Sequence, residues 1–186
     1  MNILIEGVDC VGKDTQIRFL ETEFEKLGKV VHIIHYSNIK LENNESIEIA
    51  SKLRYREMFN LLNKSDDLNI FIFNRSHLGE MIYGPIYRDY NGDYVLDFEK
   101  DFMKSEHQDT KLILFTDEVE AIIKRDKERN DGLSFSLDPE MKKKELDLFD
   151  KAFEKSILNK KRIELKGRDA EQIWNEEVKT FIFDNK

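Results

Sequence analysis

The chain contains very little cysteine and proline. Of its 186 residues, 1 is cysteine, 2 are proline and 8 are glycine. The lone Cys10 excludes an internal disulfide and a cysteine-rich metal site. So few helix breakers indicate a helix-rich globular chain. At this length we expect one domain, spanning residues 1–186.

Long apolar runs are absent as well. No stretch approaches the roughly 20 consecutive apolar residues that a membrane-spanning helix needs. The N-terminus enters Asn2-Ile3-Leu4-Ile5 without the basic segment or cleavage site of a secretion signal. We therefore expect a soluble, cytoplasmic protein that has no membrane partner.

Positive charge is in short supply. The 30 Lys and Arg residues face 38 Asp and Glu residues, giving a formal net charge of −8. A protein that binds long nucleic acid by its phosphates relies on an excess of Lys and Arg, so a nucleic-acid partner is not expected. A small anionic ligand remains compatible, because it needs only a local basic cluster.

What the chain does have is five short apolar runs separated by longer segments of mixed polarity. These runs, at residues 3–6, 30–36, 69–73, 111–115 and 162–165, indicate buried parallel strands. Between the first two, the segment Lys13 to Leu27 places apolar residues on one helical face and ends at Gly28, a common helix stop. The alternation predicts an α/β fold of three layers, with a five-stranded parallel sheet covered by helices on both faces. Sites in such sheets lie at the carboxyl ends of the strands.

Two further helix starts are visible. Asp117 has the spacing of a side chain that caps a helix, and Asp138-Pro139 opens another helix with proline at its first position. The run Lys142 to Lys144 would be a solvated face of that second helix. Its apolar seam would consist of Phe149, Phe153 and Ile157.

A phosphate-binding loop follows the first strand and opens the first helix. The segment from Gly7 to Lys13 has the pattern Gly-x4-Gly-Lys in the strand-to-helix context that gives this motif its mechanism. The glycines let successive N–H groups point at phosphate oxygens, the helix start adds positive potential, and Lys13 would reach the β and γ phosphates of ATP. The predicted ATP-binding residues are Gly7, Asp9, Cys10, Val11, Gly12, Lys13, Asp14 and Thr15.

Two positions depart from the usual pattern around Mg²⁺. The hydroxyl residue expected after the lysine is Asp14, and a hydroxyl appears only at Thr15. The Asp that such enzymes usually carry at the end of the third strand is Asn74. We hypothesise that these are paired changes, in which the carboxylate has moved from strand to loop. The Mg²⁺ site would then keep one negative charge, with Asp14 at the metal and Asn74 behind it.

The tetrad Asn63-Lys64-Ser65-Asp66 matches the guanine-reading motif of GTPases. That motif should follow a late strand, whereas here it precedes the third strand, and no Asp-x-x-Gly follows that strand. We interpret the tetrad as a helix end and a loop, and we set a nucleotide switch aside.

Arg75 directly follows the third strand, beside the phosphate loop. Two parallel hydrogen bonds from it would hold the phosphate of an acceptor. The next helix carries Glu80, Tyr83, Tyr87 and Arg88. Here the sequence resembles the thymidylate kinase family, in which an Asp-Arg pair is followed by a Tyr eight residues after the Arg, as Arg75 is by Tyr83. The resemblance implies a P-loop kinase fold.

The resemblance also implies roles for individual residues. It places Arg75 on the acceptor phosphate, Tyr83 beside the deoxyribose and Glu80 near the base. Arg54 falls at the spacing of a family Arg that lies against the base, and Asp9 matches an acid near the sugar 3′-hydroxyl. It further implies a homodimer, since dimers are usual in that family.

Residues 125–138 look like the family's lid, a basic segment that closes over ATP. Charge that develops on the transferred phosphoryl group needs cations that arrive with closure, which suits Arg125 and Arg129. A plain amphipathic helix with solvated arginines is the alternative. After the second strand, His35-Tyr36-Ser37-Asn38 replaces a family motif on the substrate side, so the sequence leaves the identity of the acceptor's base open.

The histidines predict no metal site. His32 and His35 lie three apart, so in a strand they face opposite sides. His77 is near the proposed acceptor site and either contributes there or is structural.

The expected function is in-line transfer of the γ-phosphate of ATP, with Mg²⁺, to a small nucleotide, a deoxynucleoside monophosphate such as dTMP. The predicted catalytic residues are Lys13, Arg75, Arg125 and Arg129. The predicted acceptor-binding residues are Asp9, Arg54, Arg75, Glu80, Tyr83, Tyr87 and Arg88. The alternatives are a deoxynucleoside kinase, a kinase of a modified base in DNA, and an inactive nucleotide-binding regulatory protein.

Overall fold

The chain alternates strands and helices along its length. The computed structural model describes residues 1–37, 39–105, 109–129 and 137–184. The strands are Asn2–Glu6 (β1), Val30–His35 (β2), Asn69–Asn74 (β3), Thr110–Thr116 (β4) and Asn159–Glu164 (β5). The helices are Lys13–Lys26 (α1), Asn44–Leu62 (α2), Leu78–Tyr87 (α3), Val95–Phe102 (α4), Val119–Arg129 (α5), Pro139–Lys155 (α6), Ala170–Ile173 (α7) and Lys179–Phe183 (α8), and a π-helical turn at Trp174–Val178 joins the last two.

The five strands form one parallel sheet in the order β2-β3-β1-β4-β5. Every residue of β1 and β4 is buried. Because successive side chains of a strand point to opposite faces, both faces of the sheet centre must be covered. α1 packs on β2, β3 and the π-helical turn, whereas α6 packs on α3, α5 and β4. The predicted three-layer α/β fold is confirmed.

The sheet order places a switch point beside β1. The chain passes from β1 to the outer strand β2, returns to β3 next to β1, and later crosses to β4 on the other side of β1. Ligands of open parallel sheets bind at such a point, outside the carboxyl ends of the strands. The phosphate loop after β1 and Arg75 after β3 therefore lie side by side.

Two predicted boundaries are wrong near β5. The helix that precedes it ends at Lys155, so Ile157 lies outside its apolar seam and is 53% exposed. β5 begins at Asn159 rather than at residue 162. Its first part is polar, and Lys160 turns back to donate to main-chain carbonyls at the end of α6, including that of Phe153. An edge strand of this kind has no apolar run to reveal it.

The tetrad Asn63-Lys64-Ser65-Asp66 lies between α2 and β3, as interpreted. The Asp66 carboxylate accepts main-chain hydrogen bonds from Leu68 (2.9 Å) and Asn69 (2.7 Å), so it closes the loop before β3. Within the ranges given above, no helix combines the length and the apolar character needed to cross a membrane.

Candidate active site

The phosphate loop is a backbone feature that glycine makes possible. Gly7 has φ 132°, and a Cβ there would lie 2.3 Å from the carbonyl oxygen of Phe115 on β4. Gly12 caps α1 in the left-handed region at φ 75°. Cys10 also adopts that region, at φ 63°, where a side chain causes strain. The loop therefore keeps a backbone conformation, with positive φ at three residues, that requires glycine or support from the surrounding fold.

Lys13 lies across this loop. Its side chain is buried, and Nζ donates to the carbonyl oxygens of Gly7 (2.9 Å) and Val8 (2.6 Å). Burial lowers the pKa of Lys13 to about 8; the charge of Asp9 opposes this fall and that of Arg75 adds to it. A buried cation next to a second cation is a site prepared for an anion.

Asp14 and Asn74 meet beside the loop. Nδ2 of Asn74 donates to Oδ1 of Asp14 at 2.6 Å, across 60 residues of sequence. Asn74 is 4% exposed, and its buried Oδ1 has no hydrogen-bond partner among the described residues. The pairing that the sequence suggested exists as a direct contact.

These oxygens suit a magnesium ion that arrives with a nucleotide. In the described ranges, no group of three or more His, Cys, Asp or Glu residues is arranged to hold a metal. Mg²⁺ is commonly held by one or two carboxylates together with substrate phosphates and water. Asp14 supplies a carboxylate, the exposed Thr15 a hydroxyl, and Asn74 a buried oxygen for which the described part of the chain offers no partner. The residues present thus fit Mg²⁺ bound to ATP.

Arg75 is fixed at the mouth of the site by its backbone and by Asp9. It adopts φ 68°, and its N–H donates to the carbonyl oxygen of Ile5 at 2.9 Å. Its guanidinium forms an ion pair with Asp9 and lies 3.3 Å from Nε2 of His35. Burial acts to raise the pKa of Asp9, but the charges of Arg75 and Lys13 more than offset it, so this pKa is lowered. The carboxylate of Asp9 therefore interacts with the charges of both Arg75 and Lys13.

A cavity opens from this ion pair between β2, α2 and α3. Its lining includes six of the seven predicted acceptor residues, namely Asp9, Arg54, Arg75, Glu80, Tyr83 and Arg88. Tyr36 and Tyr55 supply aromatic surface that the sequence reading did not assign to the site. Tyr36 directly follows β2, so its place at a carboxyl strand end was the signal available.

Tyr87, the seventh residue, has a different neighbour. Its hydroxyl donates to Oε1 of Glu145 on α6 at 2.6 Å, and it is not among the cavity-lining residues. Its ring stacks on that of Tyr83, with centroids 6.1 Å apart. Tyr87 therefore joins the cavity wall to α6.

Glu80 anchors the far wall of the cavity. It is 1% exposed and accepts hydrogen bonds from Tyr94 (2.9 Å), Arg88 (3.1 Å) and Tyr90. The two tyrosines lie in and after the loop that follows α3, and no motif marked them. Both oxygens of Glu80 are thus engaged by protein groups.

Arg54 closes the cavity from α2, as its predicted position requires. It donates to the carbonyl oxygen of Ser37 at 2.7 Å, and its guanidinium lies 5.0 Å from the ring centroid of Tyr36. The contact is a cation–π interaction on the aromatic wall.

Arg125 lies on the donor side. Its Nε donates to the carbonyl oxygen of Cys10 at 2.8 Å, and Nη2 to Oδ2 of Asp117 at 2.6 Å. Asp117, which the sequence suggested as a helix cap, also accepts from the backbone N–H of Lys166 at 3.2 Å. Arg129 donates to Asp126 at 3.3 Å. Within the lid predicted at 125–138, positions 130–136 lie outside the described residues.

The prediction of a solvated lysine face on α6 is wrong for its first member. Lys142 is 1% exposed and forms an ion pair with Glu145 at 2.8 Å, and Glu145 is 1% exposed as well. Lys143 and Lys144 are exposed, as expected. α6 packs against α3, which turns Lys142 inward, and its charge contributes to lowering the pKa of Asp9.

His77 lies on the other side of the α3 start, away from the cavity. It is fully buried, and its Nε2 lies 2.6 Å from Oε2 of Glu99 on α4. Glu99 also accepts from Ser156 Oγ (2.8 Å) and the Ile157 N–H (2.6 Å). These bonds give His77 a structural place in the fold.

Comparisons with known proteins bear on the fold. Neither models of protein families nor curated protein sequences give a match. Among solved structures, the YorR protein of Bacillus subtilis in complex with phosphorylated GDP has a TM-score of 0.71 at 21% identity, covering 99% of this chain and 97% of that chain. Deoxyadenosine kinase from M. mycoides with bound dATP has a TM-score of 0.62 at 13% identity, covering 97% and 98%. Polyphosphate Kinase 2 from Arthrobacter aurescens TC1 has a TM-score of 0.68 at 12% identity, covering 98% and 66%. The chain therefore has the fold of P-loop kinases.

Proposed function

We propose that this protein transfers the γ-phosphate of Mg²⁺-bound ATP to a nucleoside monophosphate, with dTMP or a related pyrimidine deoxynucleotide as the acceptor. The observation that carries the proposal is the position of Arg75. It is paired with Asp9, which also interacts with Lys13, and it lines a cavity with aromatic walls. A cation at that junction suits an acceptor that presents a phosphate to the donor loop.

On the donor side, the loop N–H groups and Lys13 bind the ATP phosphates, with the start of α1 adding positive potential. Asp14, Thr15 and Asn74 would hold the magnesium ion that accompanies ATP, and the ion would supply charge neutralisation there. Arg125, bonded to the loop at Cys10, and Arg129 on the same helix neutralise the charge that develops on the transferred group.

On the acceptor side, Arg75 has donors to offer. In the part of the chain that the structure describes, Nη1 contacts His35 (3.3 Å) and the carbonyl oxygen of Tyr36 (3.5 Å), Nη2 contacts Asp9, and no hydrogen bond involves Nε. A phosphate held there is aligned for in-line attack, which is most of what a phosphoryl transferase must provide. Tyr36, Tyr55 and Tyr83 offer flat surfaces for a base and a sugar.

A deoxynucleoside kinase is the second candidate, because Asp9 is a carboxylate in the cavity that could take a proton from a 5′-hydroxyl. The lowered pKa of Asp9 makes it a weak base, however. A monophosphate needs no strong base, so the same ion pair suits it better.

The test is a screen of Mg²⁺-ATP turnover against all nucleosides and nucleoside monophosphates, with ATP alone as the control. We expect diphosphate products from one or a few deoxynucleoside monophosphates. Phosphorylation of nucleosides only would establish the second candidate. If none of the acceptors is phosphorylated although the protein binds nucleotides tightly, both candidates are contradicted.

A further inference from the structure

Glu6, the last residue of β1, joins the two halves of the site. It is fully buried and directly precedes Gly7 of the phosphate loop. Its Oε1 accepts three hydrogen bonds, from the N–H (3.0 Å) and Oγ (2.7 Å) of Ser76 and from the N–H of Gly79 (3.2 Å). These donors form the turn after Arg75 and the start of α3.

The second carboxylate oxygen of Glu6, Oε2, differs from Oε1 in its hydrogen bonding. Oε2 is buried and lacks a hydrogen-bond partner among the described residues. A Cβ at Gly79, a residue of the acceptor cavity wall, would lie 3.9 Å from it. Burying a carboxylate with one oxygen unsatisfied is costly, so a residue of this kind calls for an explanation beyond packing.

The conformation of Arg75 supplies that explanation. A non-glycine residue at φ 68° is strained and persists only where its surroundings fix it. Its own N–H is held by the carbonyl of Ile5, and the next N–H, of Ser76, is held by Glu6. Two adjacent residues of β1 thus fix the peptide groups on both sides of Arg75.

We propose that Glu6 is the positioning residue of Arg75. Its carboxylate reaches across from the donor loop, holds the turn in its strained conformation, and so directs the guanidinium at Asp9 and the acceptor phosphate. The role as stated rests on the proposed function, because the benefit of the placement is the alignment of an acceptor. This positioning requires the length of the Glu6 side chain and an acceptor oxygen at its end, but not its negative charge.

Two matched variants separate reach from charge. Glu6→Asp keeps the charge but is one methylene too short to hold all three donors, whereas Glu6→Gln keeps the length and an acceptor oxygen. Glu99→Asp is the control, because Glu99 is an equally buried carboxylate with three hydrogen bonds, one of them to His77 in the turn after Arg75, and it does not line the cavity. KM and kcat for the acceptor and for ATP are measured in each.

We expect Glu6→Asp to raise the acceptor KM about tenfold or more while the KM for ATP changes less than about twofold, since the side-chain hydrogen bonds of Glu6 go to Ser76 and Gly79 and not to the phosphate loop. Glu6→Gln should stay close to the native acceptor KM. Glu99→Asp should lower thermal stability without moving either KM. An unchanged acceptor KM in Glu6→Asp, an equal rise in Glu6→Gln, or an equal rise in Glu99→Asp would each overturn the proposal.

A crystal structure of Glu6→Asp gives a readout that needs no activity. We expect Arg75 to leave the left-handed region and its ion pair with Asp9 to break. If both persist, the proposal is wrong even for an active kinase. If the native protein phosphorylates nothing while this rearrangement occurs, the proposed function fails and the positioning role stands.

Discussion

The side-chain amide of Asn74 donates a hydrogen bond of 2.6 Å to the carboxylate of Asp14. The two residues are the end of β3 and the second residue of α1, and both depart from the pattern usual for a phosphate loop with its metal-binding Asp. Because the two residues are in direct contact, we interpret the two departures as one coupled change rather than as two independent losses of metal-binding groups. Asn74 orients the carboxylate of Asp14, and its own side-chain oxygen has no hydrogen-bond partner within the described ranges.

A double-mutant cycle tests this coupled change. Asp14→Ser alone removes the carboxylate, and Asn74→Asp alone places two carboxylates in contact, so each should lower Mg²⁺-dependent turnover. The double variant restores the usual pattern and should recover much of it. We expect a coupling free energy of about 1–3 kcal/mol from the rates at several Mg²⁺ concentrations. Simple additivity of the two effects would show that the residues act independently.

The lowered pKa of Lys13 predicts a pH dependence of ATP binding. In the folded protein this pKa falls from 10.5 to about 8 because of burial. Between about pH 8 and pH 10.5 the unfolded chain therefore binds more protons than the folded protein. The cost to stability of burying charged Lys13 is fully present below about pH 8 and disappears as the pH rises to 10.5. Bound phosphates favour charged Lys13, so the affinity for ATP should fall as the pH rises above about 8, and binding there should take up a proton.

Titration calorimetry of ATP with excess EDTA, in two buffers of different ionisation heat, measures that proton uptake without a metal. Lys13→Ala is the control and should show weak, pH-independent binding with a native circular dichroism spectrum. It should also abolish transfer. Native protein that binds ATP equally at pH 7 and pH 9 would contradict the assignment of Lys13.

Arg75→Ala should remove the contact with the acceptor phosphate. We expect kcat/KM for the monophosphate to fall on the order of 100-fold or more, with the KM for ATP little changed. Arg56→Ala is the matched control, since Arg56 is an exposed arginine on α2 that lies over Phe98. Equal losses in the two variants, or full activity in Arg75→Ala, would remove Arg75 from the acceptor site.

Lys142→Ala should destabilise the fold, although the sequence gives it the same surroundings as its neighbours. Removing one partner of a buried ion pair leaves Glu145 without its cation, although the Tyr87 hydroxyl still donates to it, at a cost of about 3–5 kcal/mol. Lys143→Ala, on the exposed face of the same helix, should change stability by less than about 0.5 kcal/mol. Urea unfolding of both variants gives the comparison, and similar free energies of unfolding would show that the pair contributes nothing.

The fold was largely predictable because its signals are local. The apolar runs of β1, β3 and β4 and the glycines of the phosphate loop each act within a few residues of themselves. The order of alternating strands and helices then leaves few topologies. The errors fall on β5, whose polar first residues carry no hydrophobic pattern, and on Ile157, which follows the helix that it was expected to join.

Most of the predicted acceptor residues line one cavity for the same reason. Arg75, Glu80 and Tyr83 follow one strand end at fixed spacing, so the chain itself brings them to one cavity wall. Tyr90 and Tyr94 were missed because they reach Glu80 only after the loop beyond α3 folds back.

By itself the sequence determined the phosphate loop, the parallel sheet and the approximate place of Arg75, because these depend on short-range backbone geometry and on the order of elements. Only the tertiary structure decided which polar side chains are buried together. The contact of Asn74 with Asp14 and the hydrogen bonds of Glu6 to the turn after Arg75 each join residues from different elements. Lys142 turns inward because its helix, α6, packs against α3. Helix periodicity can say that a face is polar, but whether that face meets solvent or a neighbouring helix depends on how the layers pack.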